Sequence, residues 1–216
     1  TLDGRVVTGT LRTLTATECL LDTAMGEVKL PATELLELRR TSVAADETPA
    51  TPEVTIQWAG GKLSGVKPVL TATDLTFEHP LAGAVKLDRT VLSSLRFAPE
   101  EPVIREAWQQ LQSRGNKRDL LVVRKGEVLD HLDGVVAAFD AVGVKFILDG
   151  EEVAVKRERL FGIVFAQRNR PELKPAARLE LVGGDTVLLK SIRWSEEAID
   201  ATPFDASAWK LPATAV

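Results

Sequence analysis

This chain predicts an all-β fold with one helix, organised as tandem small units of five strands each. Three observations carry that reading. The phrase Lys-Leu-Pro-Ala-Thr stands at 29–33 and again at 210–214. Four segments align column by column, as internal repeats do. Most of the chain alternates apolar and polar residues with the period of a strand, and only one stretch has helical spacing.

The four segments are anchored on Leu14 (LTATECLLDTAMGEVKLPATELLELR), Leu70 (LTATDLTFEHPLAGAVKLDRTVLSSLR), Phe139 (FDAVGVKFILDGEEVAVKRERLFGIV) and Trp194 (WSEEAIDATPFDASAWKLPATAV). Five residues past the anchors stand Cys19, Leu75, Val144 and Ile199. A second column holds Val28, Val85, Val153 and Trp209, and two residues on come Leu30, Leu87, Val155 and Leu211. Leu35, Leu92, Leu160 and Val216 make a further column. Gly9, Gly65 and Gly134 stand five residues before their anchors, where the last segment has Leu189. The columns are expected to form the cores, with Val28, Val85 and Val153 buried at matching places and Cys19 inside the first unit.

In chain order, the first unit covers 1–40 and lacks a first strand, because only Thr1-Leu2-Asp3-Gly4 precedes its long second one. It continues past its fourth strand into LLELR, as the next two units continue into VLSSLRF and LFGIVF. RTSVAADETPATPE (40–53), rich in Thr, Ala, Pro and acids, is an exposed connection to the second unit, 54–98. Glu101-Pro102 then opens VIREAWQQLQSR, where Val103, Ile104, Ala107, Trp108 and Leu111 fall on one helical face. Pro102 suits a first helical turn and Gly115 an exit. With this helix the third unit spans 101–166: LLVVR (120–124), the long GEVLDHLDGVVAAFD, VKFIL (144–148), EVAVK (152–156) and LFGIVF (160–165). Asp149-Gly150 between two alternating runs signals a two-residue hairpin, and Gly134 permits a bulge or bend in the long strand. Gly60-Gly61 and Gly183-Gly184 fill equivalent turns of the second and fourth units. QRNRPELKPA (167–176) links to the fourth unit, 177–216, which lacks its last strand.

A helix followed by five curled strands is similar to the Sm-like and SH3-like small barrels. Gly134…Phe139-Asp140 and LFGIVF resemble the two halves of an Sm motif, although Ala141, Val142 and Gly143 stand where that family carries its base-binding asparagine. The stretch GEVLDHLDGVVAAFDAVGVKFILDGEEVAVKRERLFGIVF also resembles repeat regions of planctomycete-type bacterial proteins. Such regions often precede a carbohydrate-binding-like module of the NPCBM type. That resemblance implies a cell-envelope or exported protein and supplies no catalytic residues.

Composition narrows the chemistry. The 216 residues are 44% hydrophobic and 27% charged, with a net charge of −4 and a pI near 5.4, so nothing draws the chain as a whole to nucleic acid or anionic membrane. No apolar run approaches the roughly 18 residues of a membrane span. There is one cysteine, two histidines and no tyrosine. Cys19 is read as a small core hydrophobe, given its apolar column partners. Strand alternation puts His131 and Asp133 on one face and Asp130 and Leu132 on the other; two ligands are too few for a zinc site, and the face is read as solvated. His79, before Pro80, is read as a surface turn residue. Asp149, Glu151 and Glu152 lack the spacing of a calcium loop, and no phosphate loop or nucleophile elbow occurs. Trp58, Trp108, Trp194 and Trp209 are read as core rather than as sugar-stacking platforms.

No enzyme, cofactor or metal site follows from these residues. The expected function is a non-enzymatic structural or protein-interaction repeat module of a larger bacterial envelope or exported protein. The start at Thr1 reads as the mark of a cut fragment or processed product. The incomplete first and fourth units would expose strand edges, with Thr1, Leu2, Leu211, Ala213 and Val216 as the candidate interaction edge. Flanking sequence, or neighbouring copies in a homo-oligomer, would complete those edges. The alternative is an Sm-like nucleic-acid-binding protein, with Arg114, Lys117, Arg118, Lys156 and Arg157 as the candidate polyanion contact. A second alternative is a carbohydrate-binding accessory module, which the lack of tyrosine disfavours.

Overall fold

Period-two alternation produces strands almost wherever it occurs. The computed structural model describes residues 1–39, 52–167, 172–181, 183–195 and 197–213; most of the two linkers, 40–51 and 168–171, lies outside them. The described residues are mostly β, with one α-helix among them, and the described strand pairs are antiparallel. Among the described residues no helix is long and apolar enough to cross a membrane.

The chain divides into two compact units, one made of Thr1–Thr48 with Lys174–Val216 and the other of Pro49–Leu173. The four sequence segments are thus gathered in pairs, the first with the fourth and the second with the third. In the unit built from both chain ends, the first segment gives β1 (Thr10–Leu14), β2 (Glu18–Thr23) and β3 (Gly26–Pro31). In the continuous unit the second segment gives β4 (Val54–Trp58), β5 (Gly61–Leu70), β6 (Asp74–His79), β7 (Gly83–Asp88) and β8 (Leu92–Arg96). Helix α1 (Pro102–Ser113) precedes β9 (Asp119–Lys125), β10 (Val128–Phe139), β11 (Gly143–Leu148), β12 (Glu151–Lys156) and β13 (Leu160–Val164). The fourth segment returns to the first unit as β14 (Ala177–Glu180), β15 (Thr186–Trp194), β16 (Ala198–Pro203) and β17 (Trp209–Pro212).

In the continuous unit, β4 pairs with β5 and β8, β5 continues onto β6, and β6 onto β7. The third segment repeats this order with β9, β10, β11, β12 and β13. The halves join at two places, β8 with β13 (Leu95 opposite Ile163) and β5 with β10 (Leu70 opposite Phe139). In the other unit Leu14 of β1 faces Trp194 of β15. Each of these last two contacts joins anchor residues of two aligned segments.

The long second strand must leave one neighbour for the next, and glycine permits it. A Cβ on Gly134 would lie 2.4 Å from the Ile147 carbonyl oxygen and 2.5 Å from the Phe146 ring, and one on Gly65 would lie 2.5 Å from the Phe77 ring. The register shifts a few residues later, between Val136 and Ala138 and between Val66 and Val69, with further shifts between Leu11 and Thr13 and between Leu189 and Ser191. Asp149 (φ +50°) and Gly150 (φ +94°) form the two-residue β11–β12 turn as expected. Short 3-10 turns follow β3, β7 and β12 at Ala32–Glu34, Arg89–Val91 and Arg157–Arg159.

Helix α1 starts at Pro102, and Gly115 just beyond it has φ +73°. Its buried Ile104 and Trp108 join Leu120, Val122, Phe161 and Val164 in one cluster, with Leu111 packed against it. Val103, expected on the apolar face, is exposed.

Three further expectations are corrected. Val153 is 40% exposed and Val28 half-buried, although Val85 is buried. Among the described residues β12 and β7 each pair on one side only, but Val85 is covered by the rest of its segment whereas Val153 is left open. LLELR forms no strand. The closing strands β8 and β13 pair with β4 and β9, and among the described residues no strand precedes β1 to receive 35–39. Leu35 and Leu38 pack instead against the Cys19, Leu21 and Leu30 cluster. His79 is 4% exposed rather than on the surface, because its Nδ1 accepts the backbone N–H groups of Leu81 (3.2 Å) and Ala82 (3.0 Å) and so caps its own turn.

Candidate functional site

Strands with one neighbour keep a free row of backbone donors and acceptors. Among the described pairings these are β3, β7 and β12, with β14 and β17 of the fourth segment. Four of the five bury at least one residue; β12 buries none, and only Val155 is even half-covered. Its alternation is nonetheless that of a core strand. Val153 faces Phe146, which faces Val136; Val155 faces Val144, which faces Phe139. Those four partners are all at most 2% exposed. The apolar layer of the sheet therefore runs out to β12 and stops there uncovered, whereas the matching residues of β7, Val85 and Leu87, are buried.

Beside the end of β12 lies a cleft of about 570 Å³ lined by Phe97, Ala98, Ala141, Val142, Lys156, Arg157, Glu158 and Leu160. Arg157 is not free to meet a ligand there. Its Nη1 bonds the Glu53 carboxylate at 3.2 Å and its Nη2 the Glu53 carbonyl at 3.1 Å. Its guanidinium lies 5.8 Å from the Phe97 ring centroid and 5.9 Å from that of Phe139, two rings stacked 4.7 Å apart. Lys156 is exposed on the rim. Arg114 donates to His131 Nε2 at 2.9 Å, and Lys117 and Arg118 are exposed between α1 and β9, outside the cleft lining. Of the five candidate polyanion contacts, only Lys156 and Arg157 line the cleft, and Arg157 is already engaged.

The end residues are largely paired. The Thr1 ammonium and hydroxyl both donate to the Arg5 carbonyl, and the exposed Leu2 gives its N–H to Glu34 at 2.8 Å. Leu211 is 1% exposed opposite Ile199, and the Ala213 N–H reaches the Glu197 carbonyl at 3.4 Å. Val216 lies outside the described residues.

Trp58, Trp108 and Trp209 are at most 4% exposed, so none presents a stacking face, and Trp194 is half-buried. Cys19 has no exposed surface, and burial pushes its thiol pKa up, away from a reactive thiolate. Asp130 is held below the usual carboxylate range first by a hydrogen bond from Lys125, a surface pairing without a cleft. Among the described residues no three His, Cys, Asp or Glu side chains gather as metal ligands.

The β12 edge was not singled out in the sequence. The signal was present as Glu-Glu-Val-Ala-Val-Lys, an alternating run identical in pattern to a buried strand. That no described strand covers it depends on the fold, and is invisible in one strand's pattern. Comparison with known proteins finds no family model, no curated protein and no solved structure that matches the chain.

Proposed function

We propose that the chain is a non-enzymatic structural or protein-interaction module, built of tandem repeats, that joins partners by adding a strand to an open sheet edge. The observation that carries this is β12, the single-neighbour strand with no buried residue beside a fully buried apolar layer. Added strands gain backbone hydrogen bonds from the edge and specificity from alternate side chains. The recurring bulges, the 3-10 turns and the anchor-to-anchor contacts support the repeat reading. The order β7-β6-β5-β4-β8, with a 3-10 turn before the closing strand, supports small Sm-like or SH3-like units. The setting in a bacterial envelope or exported protein rests on the resemblance to planctomycete-type repeat regions.

Ala154→Pro tests the reading. Ala154 directs its backbone N–H to the open side, so proline there removes an edge donor without breaking the β11–β12 ladder. At chain concentrations low enough to keep it monomeric, a fluorescent peptide of alternating valine and charged residues should bind the wild-type chain with little salt dependence and fail to bind the variant. An equally labelled single-stranded oligonucleotide should not bind. Oligonucleotide binding that weakens steeply with salt, with no peptide binding, would overturn the reading in favour of the nucleic-acid alternative.

A further inference from the structure

The partner of the β12 edge can be specified further, on the strength of the strand-addition reading. In a two-residue hairpin the residues flanking the turn exchange both backbone hydrogen bonds. Leu148 and Glu151 flank Asp149-Gly150, so Glu151, Val153 and Val155 direct their N–H and C=O groups toward β11. The Arg157 N–H bond to the Val142 carbonyl, 3.2 Å, keeps the same phase one step further on. Glu152, Ala154 and Lys156 therefore direct theirs to the open side. Their side chains share the face of Ile147, Lys145 and Gly143, while Val153 and Val155 share the face of the buried layer.

We infer that the occupant is the same strand of a second copy, paired antiparallel about a two-fold axis through Ala154. Only residues with outward backbone groups can exchange hydrogen bonds, which limits self-pairing to a few registers. Centred on Ala154, the two strands overlap along their whole length. Glu152 then faces Lys156 of the other copy at both ends, Ala154 faces Ala154, and Val153 faces Val155 on the apolar side. Centred on Glu152, the pair would set Glu152 against Glu152. Centred on Val153, it would leave Lys156 beyond the partner's strand, opposite the turn. Opposite charges facing across strands stabilise a pair and like charges destabilise it. The same contact extends the apolar layer across the axis and covers Val153. The isologous geometry closes at two copies.

The test uses the full chain in sedimentation velocity and light scattering across concentration. Wild type should form a dimer. Glu152→Lys and Lys156→Glu should each raise its dissociation constant roughly ten-fold, since each sets like charges opposite one another twice. The double variant should return it near the wild-type value. Ala154→Cys should form a covalent dimer under mild oxidation, because an antiparallel hydrogen-bonded pair sets its Cα atoms about 5.5 Å apart, within disulfide reach. The native Cys19 is fully buried and does not compete. A chain monomeric at every concentration, or single reversals that dimerise as wild type does, would overturn the inference. If such a chain still captures the alternating peptide, the interaction reading stands and only the second copy as partner falls.

Discussion

Cys19 shows how a single residue's environment follows from its column. Its aligned partners are Leu75, Val144 and Ile199, all at most 2% exposed, and Cys19 itself has no exposed surface. Cys19→Val should therefore change stability by less than about 1.5 kcal/mol, as apolar swaps of similar volume do. Denaturant melts measure this, and a bulky thiol reagent should modify the native protein only as fast as it opens; rapid modification would contradict the burial. Residues whose partners lie far along the chain were not legible in this way. Sequence shows Arg157 as one of a basic run, yet Glu53, which holds it, comes more than a hundred positions earlier, and its two ring partners are Phe97, just past β8, and Phe139, at the end of β10. His79 was misplaced for a local reason, since the ring caps a turn that propensity alone describes as exposed.

At the scale of elements, helix α1 was legible because amphipathic spacing is a local property, and its packing follows from that spacing. Trp108 meets Phe161 edge-on, with ring centroids 5.3 Å apart. Gly162 makes room: a Cβ there would fall 2.7 Å from the indole and 2.6 Å from the Leu95 carbonyl oxygen. Trp108→Ala should cost about 3–5 kcal/mol in denaturant unfolding, and a wild-type melting curve would show that the helix is not part of the core. The helix start carries a second expectation. Glu101 receives a bidentate hydrogen bond from Arg124 at 2.5 and 2.9 Å, and this bond first, with the Arg124 charge, holds its carboxyl below the ordinary glutamate range. A depressed folded pKa gives stability that is present above the unfolded pKa and lost as pH falls through the folded one. Glu101→Gln should therefore flatten the acid limb of the stability profile and leave its shape near neutrality unchanged, read as urea midpoints at stepped pH. Strand positions were legible to within a residue or two for the same local reason. The failure of LLELR to form a strand was not, because a strand needs a neighbour and the neighbour is a matter of topology.

For the whole molecule, the chain order and the spatial grouping differ, and one polar contact explains how two segments hold as one unit. Arg89 lies in the 3-10 turn of the second segment and Asp119 begins β9 of the third. The two meet at 3.3 Å, and Asp119 also accepts the N–H groups of Val136 (3.0 Å) and Ala166 (2.9 Å). Arg89 donates in turn to the carbonyls of Val136, Ala137 and Thr71, and stands 5.9 Å from the Phe165 ring centroid. The pair is little exposed, so its value lies in being complete: removing Asp119 strands the Arg89 charge and two backbone donors. Residues 49–173 carry both members of this pair and both strand junctions of the unit. They should therefore fold when expressed alone, giving one cooperative transition by both circular dichroism and tryptophan fluorescence. Asp119→Ala in that fragment should lower stability by about 3–5 kcal/mol, where Lys117→Ala, exposed two residues away, should be nearly neutral. Two separate transitions in the fragment, for residues 54–98 and 101–166, would mean that the segments fold independently and that the Arg89–Asp119 contact only decorates their meeting. Equal effects of the two substitutions would point the same way, because only a shared core makes a charge at the junction more costly to lose than one on the surface.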